Sequence, residues 1–281
     1  MCRCAFFAKV QGEVAMKLDQ DAVYSMPLIM GSVFDRETRP GRVYGEIESM
    51  SATFKTDRDA VQFLVPDCFS VPDDPTVTVT FGDNNRVDFM AGGGYRVGAV
   101  GVSARFEGQE SVDGLYILVM WEDQTLPILL GREMIGIPKL HADITSFRRV
   151  KEGCLRATAA VWGHEVMRLE VDGLREQNLI VRRSAQKRIN AVPWLGYKHV
   201  PSIDGPPDAS YPMVVWNEVE LEELWLGDNA AIRFGVVDES DIDQLAAIPR
   251  ALRTLPIGDL VFASHAKGSA VLRMDLSHRI R

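Results

Sequence analysis

The chain has 281 residues, of which 46% are hydrophobic and 25% charged. That is ample material for a buried core and the composition of an ordinary globular protein. Basic residues number 31 and acidic residues 39, a net charge of −8. This argues against nucleic acid or an anionic membrane as partner, because both attract basic surfaces. No apolar run approaches the roughly 20 residues that span a bilayer. The richest, Leu115 to Trp121, fits a buried strand and stops at Glu122. The N-terminus carries only a short apolar patch, less than a secretory core of about 7–15 residues, so a cytoplasmic protein is expected. Residues 1–20 read as a disordered extension, with Met16 as an alternative start, and residues 21–281 as one domain. Cys2, Cys4, Cys68 and Cys154 form no CxxC pair, and reduced thiols are expected.

The segment TDRDAVQFLVP predicts a short early helix. Thr56 is its expected cap, Asp59 favours the dipole, Ala60, Phe63 and Leu64 share a face, and Pro66 ends it. Strands follow. Thr76 to Phe81 alternates strictly, and Tyr95 to Phe106 and Leu115 to Trp121 read the same way. Further strands are expected at Leu155 to Trp162, Glu165 to Val171 and Val214 to Leu224. A helix starts near Ser240, with Ile242, Leu245 and Ala246 on its apolar face. Ile257 to Phe262 and Ser269 to Leu276 read as closing strands. Many strands, few helices and no regular βαβ alternation predict a mainly β, antiparallel barrel-like or cone-like sheet with a few packed helices.

Several motifs fail on inspection. Gly92, Gly93, Gly94, Gly98 and Gly101 do not give the GxGxxG spacing, and no helix follows to receive a phosphate. The five histidines are scattered, without metal-ligand spacing, so no metal is expected. Ser264 and His265 are neighbours in a strand and point to opposite faces. Arg182, Arg183, Lys187 and Arg188 read as a solvated surface or a subunit contact. One segment, PILLGREMIGIPKLHADI at 127–144, stands apart. Lys139 follows Pro138 and lies between Ile137 and Leu140, after a largely apolar turn. An amine held there loses solvation, which disfavours its charged form and makes it nucleophilic. A snorkelling surface lysine is the competing reading.

GREMIGIPKL resembles the signature of the acetoacetate decarboxylase family, a Gly-Arg-Glu turn leading to a Pro-Lys pair. TDRDAVQFLVP at 56–66, Trp162-Gly163-His164, KHVPSIDG at 198–205, LWLGDNAAIRF at 224–234 and LPIGDLVFASH at 255–265 are similar to further family segments. They keep a consistent order over roughly residues 45–275. The resemblance implies a barrel-like cone, often oligomeric, and a homo-oligomer is expected. It also implies that Lys139 forms a Schiff base with a small 2- or 3-oxo acid, without cofactor or metal.

Departures from the family accompany that resemblance. The second lysine is Leu140. The family arginine before the early helix falls at Ile47 or Glu48, the pocket glutamate at Val97, and the tyrosine before the nucleophile at Ile137. Arg96 or Arg132 is then the expected partner of a substrate carboxylate. Tyr95 and Glu133 are candidate proton-transfer groups beside the catalytic lysine. Met120 and Trp121 match the family strand facing the nucleophile, and with Ile137 and Leu140 complete the expected pocket lining. The implied activity is a carbon–carbon lyase, with decarboxylation and aldolase-dehydratase chemistry both open and a tilt toward the latter. A non-catalytic barrel that keeps the pocket for small-molecule binding is the alternative.

Overall fold

The computed structural model describes residues 18–35, 37 and 41–281. The expected extension at 1–20 therefore lies outside the described residues apart from 18–20. The architecture is mostly β. The largest sheet runs in the order Phe69–Ser70, Tyr95–Glu107, Thr76–Val87, Arg42–Lys55, Leu260–Arg279, Ala209–Leu226, Trp194–Val200, Ser111–Glu122 and Lys139–His141. Ser111–Glu122 also pairs back onto Tyr95–Glu107, which makes the sheet ring-like. The sheet departs from the all-antiparallel expectation at two places. Trp194–Val200 and Lys139–His141 both pair parallel to Ser111–Glu122. A second sheet holds Arg148–Lys151, Cys154–Val161, His164–Asp172 and Asn229–Phe234, with Asp143–Ile144 at its side.

The alternating strands put one face of each sheet into a shared core. Met50, Val77, Val79, Phe81, Trp121, Met167 and Leu169 belong to it, all essentially inaccessible. A smaller cluster inside the ring joins Ala99, Ile117, Met120, Ile135, Ile137, Val215 and Met274. A short antiparallel pair, Ala22–Tyr24 with Ser32–Asp35, brings Phe34 against that cluster.

Helix α1 spans Arg58–Gln62. Its cap is Asp57, not Thr56, because the Asp57 carboxylate accepts from Ala60 N at 2.9 Å. Its buried residue is Val61, while Phe63, expected on the inner face, is 86% exposed. The Gly-Arg-Glu segment is not a turn. It lies inside helix α2, Thr125–Ile135, whose apolar run holds helical geometry until Gly136 adopts φ 66° and donates back to the Gly131 carbonyl. Helix α3, Leu179–Asn190, carries the basic cluster and is capped by Asn178. Helices α4 (Glu239–Ile242) and α5 (Ala247–Leu252) flank a 3₁₀ turn. The two expected closing strands are one, Leu260–Arg279, kept continuous by pairing on both sides. No helix among the described residues is long and apolar enough to cross a membrane.

Candidate active site

Lys139 opens the short strand that follows α2. Gly136 ends the helix, the Lys139 N–H closes a tight turn around Pro138 onto the Ile137 carbonyl, and Lys139 then pairs in register with Met120. Its carbonyl accepts from Arg132 Nη1 at 3.0 Å, which ties the strand back to the helix. The side chain runs over Gly131. A Cβ there would stand 2.5 Å from Lys139 Cδ and 2.7 Å from Nζ, so only glycine leaves the lysine its path. The amine is buried. Nζ lies 2.7 Å from Glu122 Oε1 and donates to the Pro127 carbonyl at 3.1 Å.

Glu122 is 1% exposed, and its second oxygen has no hydrogen-bond partner among the described residues. Burial pushes its carboxyl above the usual carboxylate range, an effect only partly offset by the charge and hydrogen bond of Lys139. Beside the pair stand two phenols. Tyr95 donates to Tyr44 at 3.3 Å. Burial holds Tyr44 up at about 12 and Tyr95 well above the usual phenol range, and the Glu122 charge adds to both. Both phenols therefore hold their protons at neutral pH.

The amine borders a small, partly open pocket. Its walls are apolar, from Leu130, Met134, Ile135, Leu272 and Met274 among others. Lys139, Tyr44 and Arg42 bring the polar groups. Among the described residues no group of His, Cys, Asp and Glu could hold a metal ion.

The structure brings only some of the expected residues together. Lys139 lines the cavity. Met120 and Ile137 pack in the small cluster adjoining it, and Tyr95 reaches it through Tyr44. Trp121 and Leu140 face the large core on the opposite side of their strands. Glu133 accepts a hydrogen bond from Ser25 and anchors the N-terminal segment to α2. Arg96 is held by Asp83 at 3.5 Å and Asp123 at 3.4 Å, and Arg132 is spent on the Lys139 carbonyl. Neither arginine lines the cavity.

Three polar residues of the site, Glu122, Tyr44 and Arg42, escape the sequence reading. Glu122 had a legible signal. It shares a strand face with Met120, two residues away, and Met120 is the partner of Lys139. It also stands directly across from Val97, where the family glutamate was expected. A carboxylate therefore stands one strand over from the expected position. Tyr44 and Arg42 had no comparable signal, because a bulge decides which face they occupy.

A ring-like β fold with a buried amine–carboxylate pair facing a small apolar cavity is the class this geometry defines. Residues 25–277 match the acetoacetate decarboxylase family, and the chain belongs to that family. An acetoacetate decarboxylase from Acidiphilium cryptum is 25% identical over 269 residues, covering 88% of this chain and 90% of that protein. The crystal structure of acetoacetate decarboxylase from Legionella pneumophila superposes with a TM-score of 0.70 at 18% identity, over 86% of this chain and 88% of that one. The enduracididine biosynthesis enzyme MppR, solved in complex with pyruvate, superposes with a TM-score of 0.65 at 16% identity, over 92% and 97%. These two likenesses concern the fold.

Proposed function

We propose that the protein is a carbon–carbon lyase that joins Lys139 to a small oxo acid as a Schiff base. The observation that carries this reading is the buried Lys139 Nζ, 2.7 Å from Glu122 and open to a cavity with apolar walls. A nucleophilic amine must first be neutral. Glu122 is placed to take its proton, and a carboxyl raised by burial accepts that proton at less cost than a solvated one. The amine then adds to the ketone carbon, and water leaves to give a protonated imine.

The imine is an electron sink. With a 3-oxo acid, the electron pair of the bond to the carboxylate moves into the imine and carbon dioxide departs. The enamine left behind takes a proton at carbon, and hydrolysis returns the ketone and the amine. With a 2-oxo acid, loss of a proton from the neighbouring carbon gives the same kind of enamine. That enamine adds to an aldehyde, and water is then eliminated. Glu122 serves as the proton relay in both courses, and Tyr44, protonated at neutral pH, donates to the oxygen that leaves. Apolar walls favour the neutral enamine over the charged imine.

Two assays separate these courses. Gas release from acetoacetate marks decarboxylation. Growth of absorbance from pyruvate with an aldehyde marks condensation and dehydration. Turnover in one of the two assays, lost on Lys139→Met, is the expected result. Tight oxo-acid binding with neither product would replace this reading by a non-catalytic binding barrel.

A further inference from the structure

Arg42 is the other cationic residue that lines the cavity of Lys139. It occupies the strand Arg42–Lys55, whose pairing with Leu260–Arg279 slips between Gly268 and Ala270. Tyr44 pairs with Ala270 and Ile47 with Gly268, so three steps on one strand answer two on the other. The bulge puts Arg42 and Tyr44 on the same sheet face as Ile47. Arg42 pairs with Leu272, itself a wall of the cavity. Two rings hold the guanidinium: Phe34 at 5.6 Å and Phe89 at 5.8 Å from its central carbon. Among the described residues no carboxylate pairs with it, whereas Arg96 has two such partners. A guanidinium packed against aromatic faces keeps its in-plane N–H groups for a planar anion.

We propose that Arg42 is the carboxylate-recognition residue of this site, and that it selects oxo acids with a single carboxylate and a short apolar chain. This rests on the reading of Lys139 as the imine-forming residue. The single-carboxylate preference follows from the remaining walls. A second carboxylate would lie against Leu130, Met134, Leu272 or Met274, where it loses hydration and gains no cation. Phe34 belongs to the N-terminal strand pair, so that segment helps to position Arg42.

The test compares acids with ketones. Adduct formation on Lys139 is followed by borohydride reduction with pyruvate, acetoacetate, acetone and 2-oxoglutarate, for the wild type and for Arg42→Gln and Arg42→Lys. The wild type should favour the two monocarboxylates over acetone and over 2-oxoglutarate. Arg42→Gln should lower the acid-to-acetone ratio by about 10- to 100-fold, the worth of a hydrogen-bonded charge. Arg42→Lys should restore part of the ratio. A ratio unchanged in Arg42→Gln overturns the proposal, and so does a wild type that treats acids and acetone alike. If no compound modifies Lys139, the imine reading fails by itself, and calorimetry with pyruvate decides on Arg42. Binding lost in Arg42→Gln supports the assignment, and binding unchanged or absent in the wild type overturns it.

Discussion

Two of the contacts between a basic side chain and a carboxylate on the large sheet differ in their surroundings. Lys139 lies 2.7 Å from Glu122, and His265 lies 2.6 Å from Glu48. Distance does not distinguish them, but their surroundings do. Glu122 is enclosed, and burial raises its carboxyl above the usual range. Glu48 is partly exposed, and the hydrogen bond from His265 dominates and lowers its carboxyl. His265 stacks on Trp225 at 4.8 Å and meets Phe147 edge-on, so its ring is packed on both sides. Lys139 meets a cavity instead, because Gly131 withholds a side chain at the point where the helix would fill it. A pair is reactive where one partner is poorly solvated and space is kept beside it. Where packing and hydrogen bonding are both satisfied, it is structural.

The largest expected contrast is in chemistry. Lys139→Met should lower imine formation at least about a thousandfold, whereas Glu48→Gln should leave it within a factor of about two. Stability should show the next contrast. Glu122→Gln leaves the amine buried without its counter-charge and should cost roughly 3–5 kcal/mol in urea unfolding. The double variant Glu122→Gln with Lys139→Met should recover most of that loss, because an apolar replacement of a buried pair is often neutral or stabilising. A double variant as unstable as the single one would break the comparison. Gly131→Ala should lower imine formation by about 100-fold through displacement of the lysine. Its melting temperature should fall as well, since displacing the lysine separates it from the buried Glu122.

The pH dependence has opposite signs for the two carboxyls. Glu122 binds its proton more tightly folded than unfolded, so its contribution to stability falls as pH rises from about 4.5 through its raised folded value. Glu48 binds its proton less tightly folded. Its contribution is present above about pH 4.5 and is lost as pH falls through its lowered folded value. Urea unfolding from pH 3 to 8 should therefore show an acid-labile increment that Glu48→Gln removes, the smallest effect in this series at less than about 1 kcal/mol because solvent screens the partly exposed carboxyl. In kinetics, the acid limb of kcat/KM should lie above the ordinary carboxylate range, because Glu122 must be ionised to accept the proton, and Glu122→Gln should abolish that limb.

Local pattern carried much of the fold. Alternation at Thr76 to Phe81 and Leu155 to Trp162 placed strands that the structure sets at Thr76–Val87 and Cys154–Val161, with Trp162 in the turn that follows. The helix over Thr125–Ile135 escaped because its apolar residues run almost continuously, without the period that marks a helix against a strand. Lys139 was legible from its setting after Pro138 and from the family segment around it. Glu122 lay in plain view as the charge that ends an apolar strand, but its meaning depends on which strand pairs beside it. Arg42 and Tyr44 depend on a bulge in the pairing of residues more than 200 positions apart in the chain, a register that no local pattern encodes.

The most direct test of the account is borohydride reduction of the wild-type protein in the presence of pyruvate or acetoacetate, followed by peptide mass spectrometry. A single adduct is expected, on the peptide containing Lys139, that is absent from Lys139→Met and strongly reduced in Glu122→Gln. An adduct on another lysine, or none with either oxo acid, would contradict it.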